Sequence, residues 1–318
     1  MITLDQINEA KTRIGRYATK TPLLRVAQLD DILGCKAWLK PENLQITGSF
    51  KLRGALNKLL SMTEEEKKHG VVCASSGNHG QAVAYAAKLL GIHAKVVMPV
   101  NANPVKIEGV QKYGGEIILH GKVSSERETK MREIETQEHR VSVHPFEDDY
   151  VKAGQGTAAV EILEDFPEMT CLVVPIGGGG LISGVSTAAK AMNPEIKVVG
   201  VEPTGAPRYG ESRKAGRPIS LDQVDTIADG TKTDKANPRN FPIIEKNVDY
   251  LVTVDDDQIR AAMKLLLTQA KLFVEPSGAL GVAAAMCQKI PCTADDHVCF
   301  LLSGGNGDLG LLASIIVG

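Results

Sequence analysis

The sequence contains no C-x-x-C pair, no run approaching the roughly 18 apolar residues of a membrane span, and no basic leader followed by an apolar core. It also lacks an excess of either charge, because the formal net charge is -2 with both signs spread along the chain. Each absence narrows the field. Without paired spacing, Cys35, Cys73, Cys171, Cys287, Cys292 and Cys299 read as buried free thiols, and three of them (Cys73, Cys171, Cys299) lie in apolar, strand-like runs. Without a basic patch there is no footprint for nucleic acid or an anionic membrane, so small-molecule partners are favoured. Without a leader or a span, a cytoplasmic location is expected. His69, His93, His120, His139, His144 and His297 are scattered without metal-ligand spacing, and no internal repeat or low-complexity tract is present.

What is present is a globular composition, 43% hydrophobic over 318 residues, enough for about two domains with ordinary cores. Thr3 and Gln6 fit a capping box ahead of a helical apolar pattern. From Val71 a strand–helix rhythm begins, with strands expected at Val71–Ala74, Ala94–Met98, Glu116–Leu119 and Val141–Val143. The rhythm restarts after Pro145, with strands at Cys171–Val174, Val198–Val201, Leu251–Val254 and Val298–Leu302. These strands are continuous apolar runs, which points to an α/β fold whose parallel sheets are covered on both faces. The charged segment Glu64–Lys68 is expected to end a helix begun near Lys51. Pro203 to Asn247, weakly periodic and rich in Gly, Pro and charge, is expected as a long surface excursion, and no further domain is expected after the last strand.

Three times an apolar strand runs into a glycine-rich or polar turn: Ser75-Ser76-Gly77-Asn78-His79-Gly80, Gly177-Gly178-Gly179-Gly180 and Ser303-Gly304-Gly305-Asn306. At the carboxyl edge of a parallel sheet such turns collect free N–H groups and helix N-termini, where ligands bind. Four successive glycines exceed the needs of a tight turn and suit a backbone wrapped around a phosphate. A dinucleotide site is one alternative, with Glu202 as the ribose-binding acid. Against it, no register from Gly177 to Gly184 satisfies G-x-G-x-x-G.

The stretch Pro41 to Gly54 supplies an amine. Asn43, Thr47, Gly48 and Ser49 form a polar turn, Ser49 is the expected N-cap, and Lys51 falls in a first helical turn, where the dipole disfavours a cation. Taken alone, the stretch reads better as a solvated surface lysine. Arg127, between Glu126 and Glu128, reads as part of a solvated helix face. Ser277 reads as a helix cap.

Together Lys51, the Ser-Ser-Gly-Asn-His turn, the tetraglycine and the final Ser-Gly-Gly-Asn resemble, in order, the fold-type II pyridoxal-phosphate enzymes, and most closely their serine racemase and threonine/serine dehydratase group. Ala153-Gly154-Gln155-Gly156-Thr157 extends the likeness, which covers nearly the whole chain. The resemblance implies two open α/β domains with mainly parallel sheets and the cofactor in the cleft between them. A large domain would comprise residues 1–66 and 147–318, and a small substrate-binding domain residues 67–146.

It further implies that Lys51 carries pyridoxal 5'-phosphate and removes the α-proton. Phe50 would pack beside the ring, Asn78 meet the ring hydroxyl, Gly177, Gly178, Gly179, Gly180 and Leu181 hold the phosphate, and Ser303 meet the ring nitrogen. Ser75, Ser76, Asn78 and His79 would surround the substrate carboxylate, and Glu275 would lie near the cofactor. The implied reaction is elimination from serine or threonine to a 2-oxo acid and ammonia, with 3-hydroxyaspartate as the alternative substrate. Ser76, matching the racemases' serine, adds racemisation. A homodimer is also implied. One position departs from the racemase pattern: Glu202 is present as a cation ligand, but Arg208 replaces the second acid, which argues against a racemase-type metal site.

Overall fold

The computed structural model describes residues 1–75 and 77–317. Among these, ten strands form two sheets. The larger contains β1 (Leu24–Arg25), β2 (Lys36–Pro41), β7 (Cys171–Pro175), β8 (Lys197–Pro203), β9 (Tyr250–Val254) and β10 (His297–Leu302). Its order is β1-β2-β10-β7-β8-β9, parallel except for the β1–β2 pair. The smaller contains β3 (Val71–Ala74), β4 (Ala94–Met98), β5 (Glu116–Leu119) and β6 (Val141–Ser142), ordered β5-β4-β3-β6 and wholly parallel.

The apolar runs are continuous because both faces are covered. Along β10, Val298, Phe300 and Leu302 enter one core with the helix Pro276–Met286, while Cys299 and Leu301 enter another with the helix Gly180–Met192. Successive side chains of a strand point to opposite faces, so a strand between two layers of helix has no polar face. The smaller sheet behaves likewise: Val71, Cys73, Val96 and Met98 pack on one side, and Val72 and Val97 meet Met131 and Ile134 on the other.

The helix Lys51–Leu60 buries Leu52, Ala55, Leu56 and Leu59 in the core of the smaller sheet. Its start differs from expectation. Phe50 is the N-cap residue, already α-helical at φ -54°, and no side-chain cap is made. Ser49 instead bridges Gly304, and Phe50 N donates to Ser303 O at 3.1 Å. The helix therefore begins where the chain is pinned to the β10 turn, so no hydroxyl is needed to set its start. Glu64–His69 is a separate short helix with its own capping box at Thr63 and Glu66, rather than the end of its predecessor.

Pro203 to Asn247 is a surface excursion only in part. It holds the helices Arg208–Ala215 and Phe241–Asn247, and it buries Arg208, Tyr209, Thr231, Asn237 and Asn240. Much of their hydrogen bonding goes to backbone groups inside the protein, which apolar periodicity does not register. Cys287 and Cys292 are half-buried, unlike the other four thiols. No helix among the described residues is long and apolar enough to cross a membrane.

A buried ionic quartet anchors the Lys51 helix. Arg53 donates to both oxygens of Glu42 at 2.8 Å, and to Glu161 Oε1 at 2.6 Å and Oε2 at 2.8 Å; Lys40 donates to Glu161 Oε2 at 2.7 Å. Lys40, Glu42 and Arg53 have no exposure. Burial pushes the Glu42 carboxyl up, but the charge and hydrogen bonds of Arg53 outweigh it and hold the group below its usual range. Removing one member of such a set strands the others in a dry site. Arg53→Met is expected to destabilise the fold by about 3–5 kcal/mol in urea unfolding. The contribution of Glu42 is present in full above about pH 4.5 and is lost as pH falls through its depressed folded value, so the parent loses stability on acidification.

Candidate active site

The carboxyl ends of both sheets open onto one cleft of about 320 Å³. The three turns singled out in the sequence meet here, one from the smaller sheet after β3 and two from the larger after β7 and β10. They lie on two facing sheet edges rather than along a single one. Lys51, Phe50, Ser75, Asn78, His79, Gly177 to Gly180, Leu181 and Ser303 all line the cleft. Ser76 lies outside the described residues.

Lys51 occupies the first turn of its helix, with Nζ donating to Pro145 O at 3.1 Å and standing 5.1 Å from the Phe50 ring centroid. Burial lowers its pKa to about 8, against a smaller opposing pull from Glu275. A solvated surface lysine would show no such shift. The protonated form is disfavoured by burial and by the helix dipole together.

The tetraglycine follows β7 and opens the helix Gly180–Met192, with Gly179 left-handed at φ +85°. A Cβ on Gly178 would fall 2.2 Å from the Phe146 ring, and one on Gly179 would fall 2.5 Å from the Tyr209 hydroxyl. The carbonyls of this segment are held from behind. Arg208 donates to Ile176 O at 2.8 Å and Gly177 O at 2.6 Å, while Tyr209 Oη and Asn240 Nδ2 donate to Gly178 O at 2.9 and 2.8 Å. With the carbonyls so engaged, the N–H groups of the loop are left for an anion in the cleft.

Arg208 thus has a role that sequence reasoning missed, and only its match to the position of a cation ligand had drawn attention to it. Its guanidinium is fully buried and lies 3.8 Å from Glu202 Oε1. Glu202 in turn accepts N–H bonds from Tyr209 and Gly210, at 3.0 and 2.9 Å. An acid closed in this way is not presented to a ribose. Glu211, the next acid along the chain, pairs with Lys214 at the surface.

At the turn after β3, Ser75 Oγ accepts from Gly77 N at 3.1 Å and Gly80 N at 2.9 Å, capping the helix Asn78–Leu90 from outside it. His79 Nε2 donates to Val143 O at 2.7 Å, which makes Nδ1 the acceptor. Burial, with Lys51 nearby, lowers its pKa to about 3, so the ring is neutral. A carboxylate at this turn would therefore meet backbone N–H groups rather than an imidazolium. Asn78 Nδ2 donates to Glu275 Oε1 at 2.6 Å.

Several other residues differ from their sequence reading. Arg127 is buried and lines the cleft, with its guanidinium on Lys122 O and Ser124 Oγ, because the helix Ser124–Glu138 turns that face toward the site. Ser277 is no cap: it lies inside its helix and accepts from Gly230 N at 2.8 Å. Glu275 occupies the N-cap position without a side-chain cap bond and faces the cleft. Lys106 and Asp229 pair at 2.8 Å across the mouth, and neither was flagged by a motif.

The chain is 43% identical over 316 residues to the L-threonine ammonia-lyase of Thermotoga maritima, covering 99% of this chain and 78% of that protein. It is 42% identical over 313 residues to a serine racemase of Oryza sativa, covering 97% and 92%. The solved structure of maize serine racemase superposes with a TM-score of 0.94 at 40% identity, covering 99% and 97%. Residues 14–304 match the family model for pyridoxal-phosphate-dependent enzymes. The chain belongs to the pyridoxal-phosphate-dependent enzyme family, in its fold-type II group.

Proposed function

We propose that this enzyme eliminates water from hydroxy amino acids such as L-serine and L-threonine, releasing a 2-oxo acid and ammonia, and that it also racemises serine. The observation that carries the reading is the Lys51 amine, its pKa lowered by burial, facing a glycine phosphate cradle across one cleft. The residues fit pyridoxal 5'-phosphate: a glycine loop packed too closely to admit side chains, an amine of lowered pKa, the Asn78 amide, and a serine hydroxyl at Ser303. Gly177 to Gly180 with Leu181 would hold the phosphate, Phe50 the ring face, and Ser303 the ring nitrogen. Bound, the cofactor supplies a sink for the electron pair left when the α-proton departs.

The chain's own groups do the rest. Lys51 Nζ would take the α-proton, its pKa of about 8 raising the share of neutral amine available near neutral pH. The N–H groups of the turn from Ser75 to His79 hold the substrate carboxylate and present the α-carbon to Lys51. The neutral hydroxyl of Ser303 does not stabilise a protonated ring nitrogen, which moderates the sink and favours elimination over transamination. Ser76 is proposed to return a proton from the opposite face.

Residues 67–146 are proposed as the small substrate-binding domain, and 1–66 with 147–318 as the large cofactor domain; the separate sheets support this division. A homodimer and a cytoplasmic location complete the reading, the location supported by six free thiols. 3-Hydroxyaspartate is a second candidate substrate. It is favoured by Arg127, whose guanidinium lines the cleft and pairs with no carboxylate among the described residues.

A panel of L-serine, L-threonine and 3-hydroxyaspartate, read for 2-oxo acid release and D-serine formation, tests the assignment. Turnover is expected for at least one substrate, with a loss of at least about a thousandfold in Lys51→Ala. Ser76→Ala is expected to lose D-serine formation while keeping elimination. No turnover of any of the three would overturn the assignment. We further propose that Arg208 stands in for a divalent cation as the fixed charge beside Glu202. Dialysis against a chelator is therefore expected to leave activity and Tm unchanged, and a loss restored by magnesium or calcium would contradict it.

A further inference from the structure

We propose that Glu275 and Asn306 are positioning residues that fix which end of the Asn78 amide faces the cleft, so that Asn78 meets the ring oxygen of the cofactor as a donor. The inference rests on the reading of Asn78 as the partner of that oxygen. An asparagine amide presents a donor at one end and an acceptor at the other, and a rotation of 180° exchanges them. Three hydrogen bonds decide the choice here. Asn306 Nδ2 donates to Thr47 O at 2.8 Å and to Asn78 Oδ1 at 2.9 Å, and Asn78 Nδ2 donates to Glu275 Oε1 at 2.6 Å.

The chain has acceptors at both ends. The Thr47 carbonyl has no hydrogen to give, so Asn306 must turn its NH2 inward. One hydrogen of that NH2 is then aimed at Asn78, which must answer with its oxygen. At the other end a glutamate oxygen accepts from Asn78 Nδ2, and Oε1 still accepts when Oε2 carries a proton. Reversing Asn78 would set oxygen against oxygen at Glu275 and NH2 against NH2 at Asn306. Leaving such part-buried groups unpaired is costly. Glu275 is only 8% exposed.

Asn78 Nδ2 carries two hydrogens. Among the described residues one goes to Glu275, and the other is what Asn78 offers to the cleft it lines. A donor aimed at the ring oxygen favours the ionised oxygen over the hydroxyl, whereas a reversed amide would favour the hydroxyl. The packing leaves little freedom for error: a Cβ on Gly304 would lie 2.4 Å from Glu275 Oε1 and 3.2 Å from Asn78 Nδ2. The glycine of the β10 turn is therefore the space in which this amide chain runs.

The test is titration of the apoenzyme with pyridoxal 5'-phosphate, reading the dissociation constant and the ratio of visible to near-ultraviolet absorption, with the Tm of each apoenzyme as the folding control. Glu275→Gln keeps a carbonyl to accept from Asn78 and is expected to stay within about threefold of the parent in affinity, with an unchanged band ratio. Glu275→Leu and Asn306→Leu free the amide to rotate, and each is expected to weaken binding about tenfold and shift absorption toward the near-ultraviolet. Asn306→Leu carries the test if Glu275→Leu does not fold. Leucine variants that match the parent in affinity and band ratio would overturn the inference, as would a glutamine variant that falls as far as leucine. A parent apoenzyme that takes up no cofactor would overturn the cofactor reading itself, and the inference with it.

Discussion

Holding the amine of Lys51 away from water, with a backbone carbonyl as its one hydrogen-bond partner among the described residues, is the constraint on which the site depends. A buried ammonium is unfavourable, so the fold has to hold the residue there by other means. It does so two residues further along the same helix, where Arg53 is fixed by Glu42 and Glu161 on elements from different parts of the chain. A second restraint is close packing. A Cβ on Gly154 would lie 2.6 Å from Arg53 O, so the helix Asp149–Asp165 approaches the Lys51 helix backbone to backbone. The quartet and the glycine contact together convert a flexible lysine into a placed one.

The rest of the cleft is organised around that amine by the same device, the outward tethering of backbone carbonyls. Arg208, Tyr209 and Asn240 take the carbonyls behind the glycine loop, and the freed N–H groups form its inner surface. His79 takes Val143 O and Lys51 takes Pro145 O, which ties the segment joining the two sheets to both walls of the cleft. A buried arginine on carbonyl oxygens supplies fixed charge without a metal's demand for several anionic ligands. Its guanidinium has enough donors to hold three backbone groups at once.

Much of this was legible in the sequence, for identifiable reasons. The strands Val71–Ala74 and Ala94–Met98 fall at their expected residues because doubly covered parallel strands are bounded apolar runs. Lys51 and the glycine turns were legible through their order along the chain. What was not legible depends on contacts distant in sequence. Arg127 looked solvated because its neighbours are acids, yet the helix face it shares turns inward. Ser277 looked like a cap because its stretch runs into a helix, but its hydroxyl is claimed by Gly230, 47 residues away. The polar core of residues 203–247 escaped notice because the side chains of Arg208, Asn237 and Asn240 hydrogen-bond to backbone groups, a pattern without periodicity.

The central claim is that Lys51 is the one amine prepared to hold the cofactor. It is tested most directly by exposing the apoenzyme to pyridoxal 5'-phosphate over a range of pH, reducing with borohydride, and mapping the modified peptide. The account predicts modification at Lys51, with initial capture rising as pH passes about 8, where burial places this amine. Modification spread over surface lysines, or capture that rises only near the ordinary lysine value of 10.5, would contradict it.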